Sequence, residues 1–137
     1  MIVGTEWLIE AEGCNENALC DVEILRGVFS RIISDLSLKT IGEGIWHKFE
    51  GAGGVTGLIM LTESHIACHT YPEYEAATFN LYCCKNRPEW NWEENLAEIL
   101  GAKNVNVQKI ERGANTTFSN PKSKIQNPKS KIAGGKI

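Results

Sequence analysis

One segment of this chain, residues 61–74, holds most of the side chains that could carry out chemistry. Its reactive groups are a serine hydroxyl, two imidazoles, a thiol and two carboxylates: Ser64, His65, His69, Cys68, Glu63 and Glu73. Activated hydroxyls and thiols are nucleophiles, and imidazoles exchange protons near neutral pH. A thiol pair, Cys83–Cys84, ends the next strand-like run. No other part of the sequence is so rich in such groups, so we expect the functional site here.

A metal site is one chemistry that these residues could support. His65 and His69 lie four positions apart, and cysteines follow at positions 68, 83 and 84. The sequence lacks the Cys-x-x-Cys and His-Glu-x-x-His spacings that are typical of zinc sites. We therefore predict no metal at this site.

The residues before this segment predict a strand and a helix. Residues 7–11 have the composition of a short strand, and turn-prone residues follow them. Asp21 is a good helix N-cap, and apolar residues then recur every three or four positions: Val22, Leu25, Val28, Phe29, Ile32, Ile33 and Leu36. This spacing forms one buried stripe, so the helix needs a partner surface, which we expect to be a sheet.

Three more strands are predicted around the reactive segment, over residues 40–49, 55–61 and 76–84. The glycine-rich residues 50–54 join the first two as a hairpin, because they lack the Lys-Ser/Thr ending of a phosphate-binding loop. Side chains of a strand alternate between its two faces. Cys84 therefore lies on the polar face of the last of these strands, whereas Cys83 lies on the apolar face.

A second helix over residues 90–100 and a last strand over residues 105–110 complete the predicted order β-α-β-β-β-α-β. The predicted fold class is α+β: a two-layer sandwich of a mainly antiparallel sheet with both helices on one face. We assign residues 1–113 to this domain. Residues 114–137 contain a nearly exact polar seven-residue repeat that starts at positions 120 and 127, so we predict a basic, disordered tail.

The composition is that of a soluble globular protein. Of the 137 residues, 42% are apolar and 23% are charged, which is ordinary for that class. The tail holds five lysines and no acid, which leaves 9 basic against 17 acidic residues before it. We expect no nucleic-acid partner for this acidic body and no membrane span. Five cysteines without a signal peptide predict reduced thiols and a cytoplasmic location.

Beyond these patterns, the chain resembles a known family. The matching residues are Glu63-Ser64-His65, His69-Thr70-Tyr71-Pro72-Glu73-Tyr74, Ala76-Ala77 and Cys84, with flanking matches at His47-Lys48-Phe49, Gly54-Val55-Thr56-Gly57, Ala102-Lys103-Asn104-Val105 and Glu111-Arg112-Gly113. Together they resemble the prokaryotic S-adenosylmethionine decarboxylase proenzymes, small pyruvoyl-dependent enzymes that cleave themselves at a Glu-Ser bond. The resemblance covers residues 4–113.

This resemblance implies a cofactor that the chain makes from itself. The hydroxyl of Ser64 would attack the carbonyl of Glu63, and β-elimination from the resulting ester would break the chain between residues 63 and 64. Ser64 would then become a pyruvoyl group, which forms a Schiff base with a substrate amine and accepts electrons as CO₂ leaves. By residue type alone, Ser64 would be an ordinary serine in a turn.

The resemblance also implies roles for other residues and a substrate. His69 would be the acid/base of self-processing, and the bend at residues 71–72 could fold it back toward Ser64. Cys84 would return a proton to the substrate carbon after decarboxylation. Substrate-binding roles fall to a carboxylate for the ribose and two aromatic rings for the adenine: Glu73, Phe49 and Tyr71. The implied substrate is S-adenosylmethionine, the product serves spermidine biosynthesis, and the implied assembly is a homodimer of processed two-chain protomers.

Three departures from the family pattern leave the substrate open. The chain has Gly4-Thr5-Glu6 where Gly-Arg-His is common, Glu75-Ala76-Ala77-Thr78-Phe79-Asn80 in place of Gly-Tyr-Ala-Ala with an acid two residues later, and Lys85 in place of a glycine. The extra carboxylates at Glu6 and Glu75 would suit a cationic substrate. The alternatives are therefore a pyruvoyl-dependent arginine or ornithine decarboxylase and a binding homologue that never cleaves.

Overall fold

A single six-stranded antiparallel sheet forms the centre of the computed structural model, which describes residues 1–118 and residue 121. The strands are β1 (Gly4–Glu12), β2 (Thr40–Lys48), β3 (Val55–Leu61), β4 (Ser64–Tyr71), β5 (Ala76–Cys83) and β6 (Asn104–Arg112), and their order in the sheet is β2-β3-β4-β5-β1-β6. The helices are α1 (Glu16–Leu19), α2 (Val22–Asp35) and α3 (Trp92–Leu100), with a 3-10 turn at Pro72–Tyr74. Every pair of neighbouring strands is antiparallel.

The two longer helices cover the same face of the sheet. Phe79 of β5 lies 6.4 Å from Phe29 of α2 and 6.1 Å from Trp92 of α3, measured between ring centroids. Both helices therefore pack on one side chain of the central sheet, where large aromatic rings bury the most apolar area. The predicted α+β two-layer sandwich is confirmed.

The predicted helix boundaries are close to those observed. The Asp21 side chain accepts hydrogen bonds from the backbone N–H groups of Glu23 and Ile24, at 2.9 and 3.3 Å, so it caps α2 as predicted. Helix α3 begins at Trp92 rather than at residue 90, because Asn91 is its N-cap. Gly101 ends that helix in the left-handed conformation that glycine adopts without strain.

The predicted element order was incomplete, because it lacked α1 and β4. Within β4, the side chains of Ile66, Cys68 and Thr70 are buried, while His65 and His69 on the opposite face are half-buried. A strand with polar groups on both faces has no clear apolar alternation, so its sequence does not distinguish it from a loop. Its strand conformation follows from pairing with β3 on one side and β5 on the other.

Among residues 1–118 and 121, no helix lies on the opposite face of the sheet, and we call it the helix-free face. By strand alternation and register it carries the side chains of Leu58, Met60, His65, Ala67, His69, Thr78, Asn80 and Tyr82. Several apolar side chains there are open to solvent: Ile45 is 74% exposed, Met60 57% and Leu58 45%. Exposed apolar area on one sheet face is a feature of surfaces that bind partners.

The remaining predictions about chain organisation concern the tail and the membrane. The tail prediction lies outside the described residues, apart from residues 114–118 and 121. Thr116 N–H donates to the carbonyl of Gly113 at 3.3 Å, so the chain turns directly after β6. Across residues 1–118 and 121, no helix combines the length and the apolar character needed to cross a bilayer.

Candidate active site

The peptide bond between Glu63 and Ser64 lies where the β3–β4 hairpin enters its second strand. Leu61 and Ser64 are register partners, so only Thr62 and Glu63 connect the two strands. Ser64 has a φ of 136°, a conformation that residues with a Cβ rarely adopt and that stores backbone strain. The candidate cleavage bond is therefore held in a strained turn.

The carbonyl oxygen of Glu63 has a donor in place. The backbone N–H of Cys84 donates a hydrogen bond to it at 3.0 Å. A fixed backbone N–H directed at a carbonyl stabilises the negative charge that appears on the oxygen when a nucleophile attacks the carbon. The backbone N–H of Cys84 thus polarises the carbonyl of the Glu63–Ser64 peptide bond, independently of the Cys84 thiol.

The side chain of Glu63 is buried, with an exposed fraction of 2%. Arg87 forms an ion pair with it through two nitrogens: Nε donates to both carboxylate oxygens at 2.9 and 3.1 Å, and Nη2 also donates to Oε2. These hydrogen bonds lower the pKa of Glu63 below its ordinary value despite burial. Arg87 also donates to the carbonyl of Leu36 at 3.3 Å, which ties the hairpin to the end of α2.

Sequence reasoning missed Arg87. The residue lies in a loop between β5 and α3, and its partner is 24 positions earlier in the chain. A single arginine in a loop carries no periodic signal. Only the packing of that loop against the hairpin identifies it.

A continuous series of hydrogen bonds starts at the Ser64 hydroxyl. Ser64 Oγ lies 3.1 Å from His65 Nδ1, and His65 Nε2 lies 3.0 Å from Asn80 Oδ1. Asn80 Nδ2 donates to Glu6 Oε2, and Arg112 Nη1 pairs with Glu6 Oε1 at 2.7 Å. Adjacent side chains of a regular strand point to opposite faces. The positive φ of Ser64 lets its hydroxyl approach the neighbouring imidazole.

The two adjacent cysteines have different surroundings, as the alternation of the strand predicted. Cys83 is fully buried, and the pKa of its thiol is raised to about 12, first by burial and then by the charge of Glu63. Cys84 follows the last residue of β5 and is exposed. Cys83 is therefore a protonated core residue at neutral pH, and Cys84 is the thiol that a substrate could reach.

A second group of predicted site residues lies at the other end of β4. His69 Nδ1 is 2.6 Å from Thr56 Oγ1, and the His69 ring is 5.8 Å from Phe49 and 4.5 Å from Tyr71 between centroids. Glu73 lies nearby in sequence, exposed on the 3-10 turn. We call His69, Phe49, Tyr71 and Glu73 the His69 group.

The structure does not bring the His69 group to Ser64 within one chain. His69 lies five positions beyond Ser64 along an extended strand, a span of about 16 Å. The prediction that the Tyr71–Pro72 bend folds His69 back is wrong, because His69 stays in the regular part of β4 and pairs with Thr78. The role of His69 in processing remains a prediction.

Two hollows open on the helix-free face, one next to each group. The hollow beside Ser64 has a volume of about 490 Å³ and is lined by Ile41, Gly44, Ile45, Leu58, Met60, Ser64 and His65. The one beside His69 has a volume of about 390 Å³. Both volumes are in the range of small-molecule sites. Across residues 1–118 and 121, no three His, Cys, Asp or Glu side chains are grouped as metal ligands would be.

Comparison with known proteins places this arrangement in a family. Residues 5–113 match the family model described as S-adenosylmethionine decarboxylase. The chain is 34% identical over 115 residues to the S-adenosylmethionine decarboxylase proenzyme of Clostridium tetani, covering 81% of this chain and 87% of that protein. It is 30% identical over 118 residues to the arginine decarboxylase proenzyme of Aeropyrum pernix, covering 85% and 89% of the two chains.

A solved structure agrees with the sequence comparison. The adenosylmethionine decarboxylase from Aquifex aeolicus VF5 superposes with a TM-score of 0.72 at 27% identity, covering 87% of this chain and 98% of that one. Sequence and fold therefore agree over nearly the whole described domain. The chain belongs to the S-adenosylmethionine decarboxylase family of enzymes.

Proposed function

We propose that this protein is a self-cleaving, pyruvoyl-dependent decarboxylase that converts S-adenosylmethionine to its decarboxylated form and CO₂, for spermidine biosynthesis. The observation that carries the proposal is the state of the Glu63–Ser64 peptide. Its carbonyl accepts a hydrogen bond from Cys84 N–H, its serine has a strained φ of 136°, and the serine hydroxyl has an imidazole 3.1 Å away. An ordinary hairpin needs none of these features.

This geometry supports self-cleavage by the following steps. Ser64 Oγ attacks the Glu63 carbonyl carbon, the C–N bond breaks, and the amide becomes an ester with a free amine at Ser64. Loss of the Ser64 α-proton then expels the Glu63 carboxylate and leaves an enamine. Tautomerisation to an imine and hydrolysis consume one water and release one ammonia, which gives a pyruvoyl group at the start of residues 64–137. The strain at Ser64 favours the first step, because ring closure and chain breakage both release it.

The residues around Ser64 fit the group that these steps would create. A pyruvoyl ketone supplies a carbonyl that condenses with the substrate amine and accepts electrons as CO₂ leaves. Cys84 is the exposed thiol beside Ser64, since its neighbour Cys83 is the register partner of that serine. We assign Cys84 the return of a proton to the substrate carbon. The hollow beside Ser64 supports substrate binding there.

The separation of the two groups supports a homodimer through the helix-free face. Ser64 and the His69 group lie at opposite ends of β4. A two-fold axis parallel to the sheet and perpendicular to its strands exchanges these ends. Two copies stacked on their helix-free faces would then bring Ser64 and Cys84 of one chain to the His69 group of the other. The exposed Met60 and Leu58 would be covered in this dimer.

Arginine is the second candidate substrate, favoured by the relative from Aeropyrum pernix. Of the two carboxylates that suggested a cationic substrate, Glu6 is already paired with Arg112 and Asn80. Glu75 is exposed directly after the 3-10 turn that carries Glu73, so the proposed dimer would bring both residues toward the partner's Ser64. We rank S-adenosylmethionine first because the matching family model and the relative from Clostridium tetani are both named for it.

The first experiment is the intact mass of freshly purified, denatured protein beside a Ser64→Ala variant. We expect two chains, residues 1–63 and a pyruvoyl-bearing 64–137, whose masses sum to the full chain plus water minus ammonia. The variant should stay whole. A wild-type chain that remains whole after long incubation would overturn the proposal in favour of the non-cleaving binding homologue.

The substrate is tested next with the processed protein. Carboxyl-labelled S-adenosylmethionine, arginine and ornithine are compared by release of labelled CO₂, with Cys84→Ala as a variant that should cleave itself but lose turnover. Release of CO₂ from arginine or ornithine alone would show that S-adenosylmethionine is not the substrate and would leave the proposed pyruvoyl cofactor unchanged.

The five cysteines are all free thiols, which supports the expectation of a reducing, cytoplasmic location.

A further inference from the structure

We infer that His65 is the base that removes the proton from the Ser64 hydroxyl during self-cleavage, and that Glu6 and Asn80 position it by fixing which ring nitrogen carries the hydrogen. This inference rests on the proposed function and adds the first proton transfer to it. The residue that the family resemblance assigns to processing is His69, which lies about 16 Å along β4 from Ser64 in the same chain. His65 is the imidazole in contact with the hydroxyl.

Glu6 is the carboxylate of this hydrogen-bond series. Its carboxylate pairs with Arg112 at 2.7 Å through one oxygen and receives Asn80 through the other. A carboxylate can only accept hydrogen bonds. The atom of Asn80 that faces Glu6 is therefore its NH₂ nitrogen, and the orientation of the amide is determined.

The amide orientation then determines the tautomer of His65. Because the nitrogen of Asn80 faces Glu6, its carbonyl oxygen faces His65 Nε2 at 3.0 Å. A carbonyl oxygen only accepts, so Nε2 must carry the hydrogen and donate it. In the neutral ring the other nitrogen, Nδ1, is then an acceptor. Nδ1 is the atom 3.1 Å from Ser64 Oγ, so the hydroxyl donates to a free lone pair.

This arrangement is that of a serine nucleophile with its base and the group that orients the base. The proton of Ser64 Oγ passes to His65 Nδ1 as Oγ bonds to the Glu63 carbonyl carbon. The negative charge on the carbonyl oxygen meets Cys84 N–H. When the C–N bond breaks, the imidazolium returns the proton to the Ser64 nitrogen, so the step consumes no other reagent.

The two positioning residues are a departure from the family pattern, in which positions 6 and 80 commonly hold a histidine and an acid. Here the carboxylate stands at position 6 and the amide at position 80. The hydrogen-bond acceptor facing His65 Nε2 is thus the neutral amide oxygen of Asn80, and the Glu6 carboxylate orients that amide.

The test follows the state of the Glu63–Ser64 bond over time in His65→Ala and His65→Gln chains. Intact mass is recorded before and after treatment with hydroxylamine, which cuts an ester at this position and leaves the amide whole. We expect processing to slow about 100-fold or more, the usual contribution of a general base, with full-length chain that resists hydroxylamine. Added imidazole should partly restore cleavage of His65→Ala, which a purely structural role would not allow.

The positioning residues are tested by a matched pair on β1. In Glu6→Gln, residue 6 becomes an amide that can donate as well as accept, so Asn80 can flip and no longer fixes the tautomer of His65. We therefore expect cleavage to slow about tenfold, the equivalent of one lost hydrogen bond. Glu10 lies on the same face of β1, four residues further along and outside the hydrogen-bond series, so Glu10→Gln should cleave as wild type. Circular dichroism establishes that each variant is folded.

The outcomes separate this inference from the proposed function. Wild-type protein that never cleaves would overturn both. Wild-type protein that cleaves, beside folded His65 variants that cleave at the same rate or that accumulate a hydroxylamine-sensitive ester, would overturn the inference alone. Equal cleavage of Glu6→Gln and Glu10→Gln would overturn the positioning role.

Discussion

At the scale of single residues, hydrogen bonds hold both the side-chain carboxylate and the backbone carbonyl of Glu63. Its side chain is held by Arg87 and its backbone carbonyl by Cys84 N–H. The first contact prevents the turn from rotating, and the second polarises the bond that we expect to break. A buried carboxylate is stable only when it is paired and hydrogen-bonded. The ion pair is therefore part of what keeps the strained hairpin closed.

This ion pair leads to a prediction about stability in an uncleavable Ser64→Ala chain. Arg87→Met leaves the buried charge of Glu63 unpaired, so we expect a loss of about 3 kcal/mol in the free energy of unfolding at neutral pH. Pairing lowers the pKa of Glu63 below its ordinary value of 4.5, so its contribution is complete above that value and is lost as the pH falls through the folded-state pKa.

Urea unfolding at neutral pH and well below pH 4.5 measures both effects. The difference between the Arg87→Met chain and its parent should shrink in acid. Lys85→Met is the matched control, since Lys85 is exposed in the same loop and its charge lowers the pKa of Glu63 less than the Arg87 hydrogen bonds do. Equal stability of the Arg87→Met chain and its parent at neutral pH would contradict the role given to the pair.

At the scale of elements, Gly27 of α2 and Gly57 of β3 differ in the space that surrounds them. Gly27 lies on the exposed side of α2, and a Cβ there would meet no atom within 4 Å. Gly57 lies in β3 under Trp46, whose ring packs 4.9 Å from Phe29, and a Cβ there would overlap the indole ring. The absent side chain at position 57 therefore makes room for Trp46 on the helix-covered face.

This contrast predicts opposite signs for the same substitution. Gly27→Ala should raise the free energy of unfolding by about 0.5–1 kcal/mol, because alanine restricts the unfolded chain and favours helix. Gly57→Ala should lower it by about 1–3 kcal/mol through overpacking. Thermal unfolding of both variants in the Ser64→Ala chain checks the signs. The contact with Trp46 would be refuted if Gly57→Ala were as stable as its parent.

At the scale of the whole molecule, the sheet has one covered face and one open face, and the candidate site lies on the open one. In a single chain, Ser64 and the His69 group occupy separate ends of that face. Stacking two copies would cover the exposed apolar residues and complete two sites at once. The proposed dimer thus accounts for both the bare face and the divided site.

The dimer predicts complementation between two inactive chains. Ser64→Ala chains lack the nucleophile. His69→Ala chains lack the imidazole that the family resemblance assigns to processing, which we expect to remove the Ser64 α-proton after His65 has acted, so neither chain should cleave when expressed alone. In a mixed dimer, Ser64 from the His69→Ala chain meets His69 from the Ser64→Ala chain, so one complete site forms. Intact mass of the co-expressed pair should show cleavage only in the His69→Ala chain. If purified mixed dimers showed no cleavage, the partner chain would not be the source of His69 for the site.

The sequence by itself determined the parts of this protein that depend on local order along the chain. The apolar spacing in α2, its Asp21 cap and the alternation that separates Cys83 from Cys84 are all local, and the motif around Glu63 and Ser64 indicated the family. These features follow from the fixed periods of helix and strand.

Only the tertiary structure decided which side chains meet. The partners Arg87 and Glu63 are 24 positions apart, and Glu6 and Asn80 are 74 apart. Such contacts depend on the register of the sheet and on loop packing, because a shift of one residue would move every side chain to the other face. For the same reason His65 rather than His69 contacts Ser64: strand β4 stays extended between its two neighbours, and extended backbone keeps residues five positions apart from meeting.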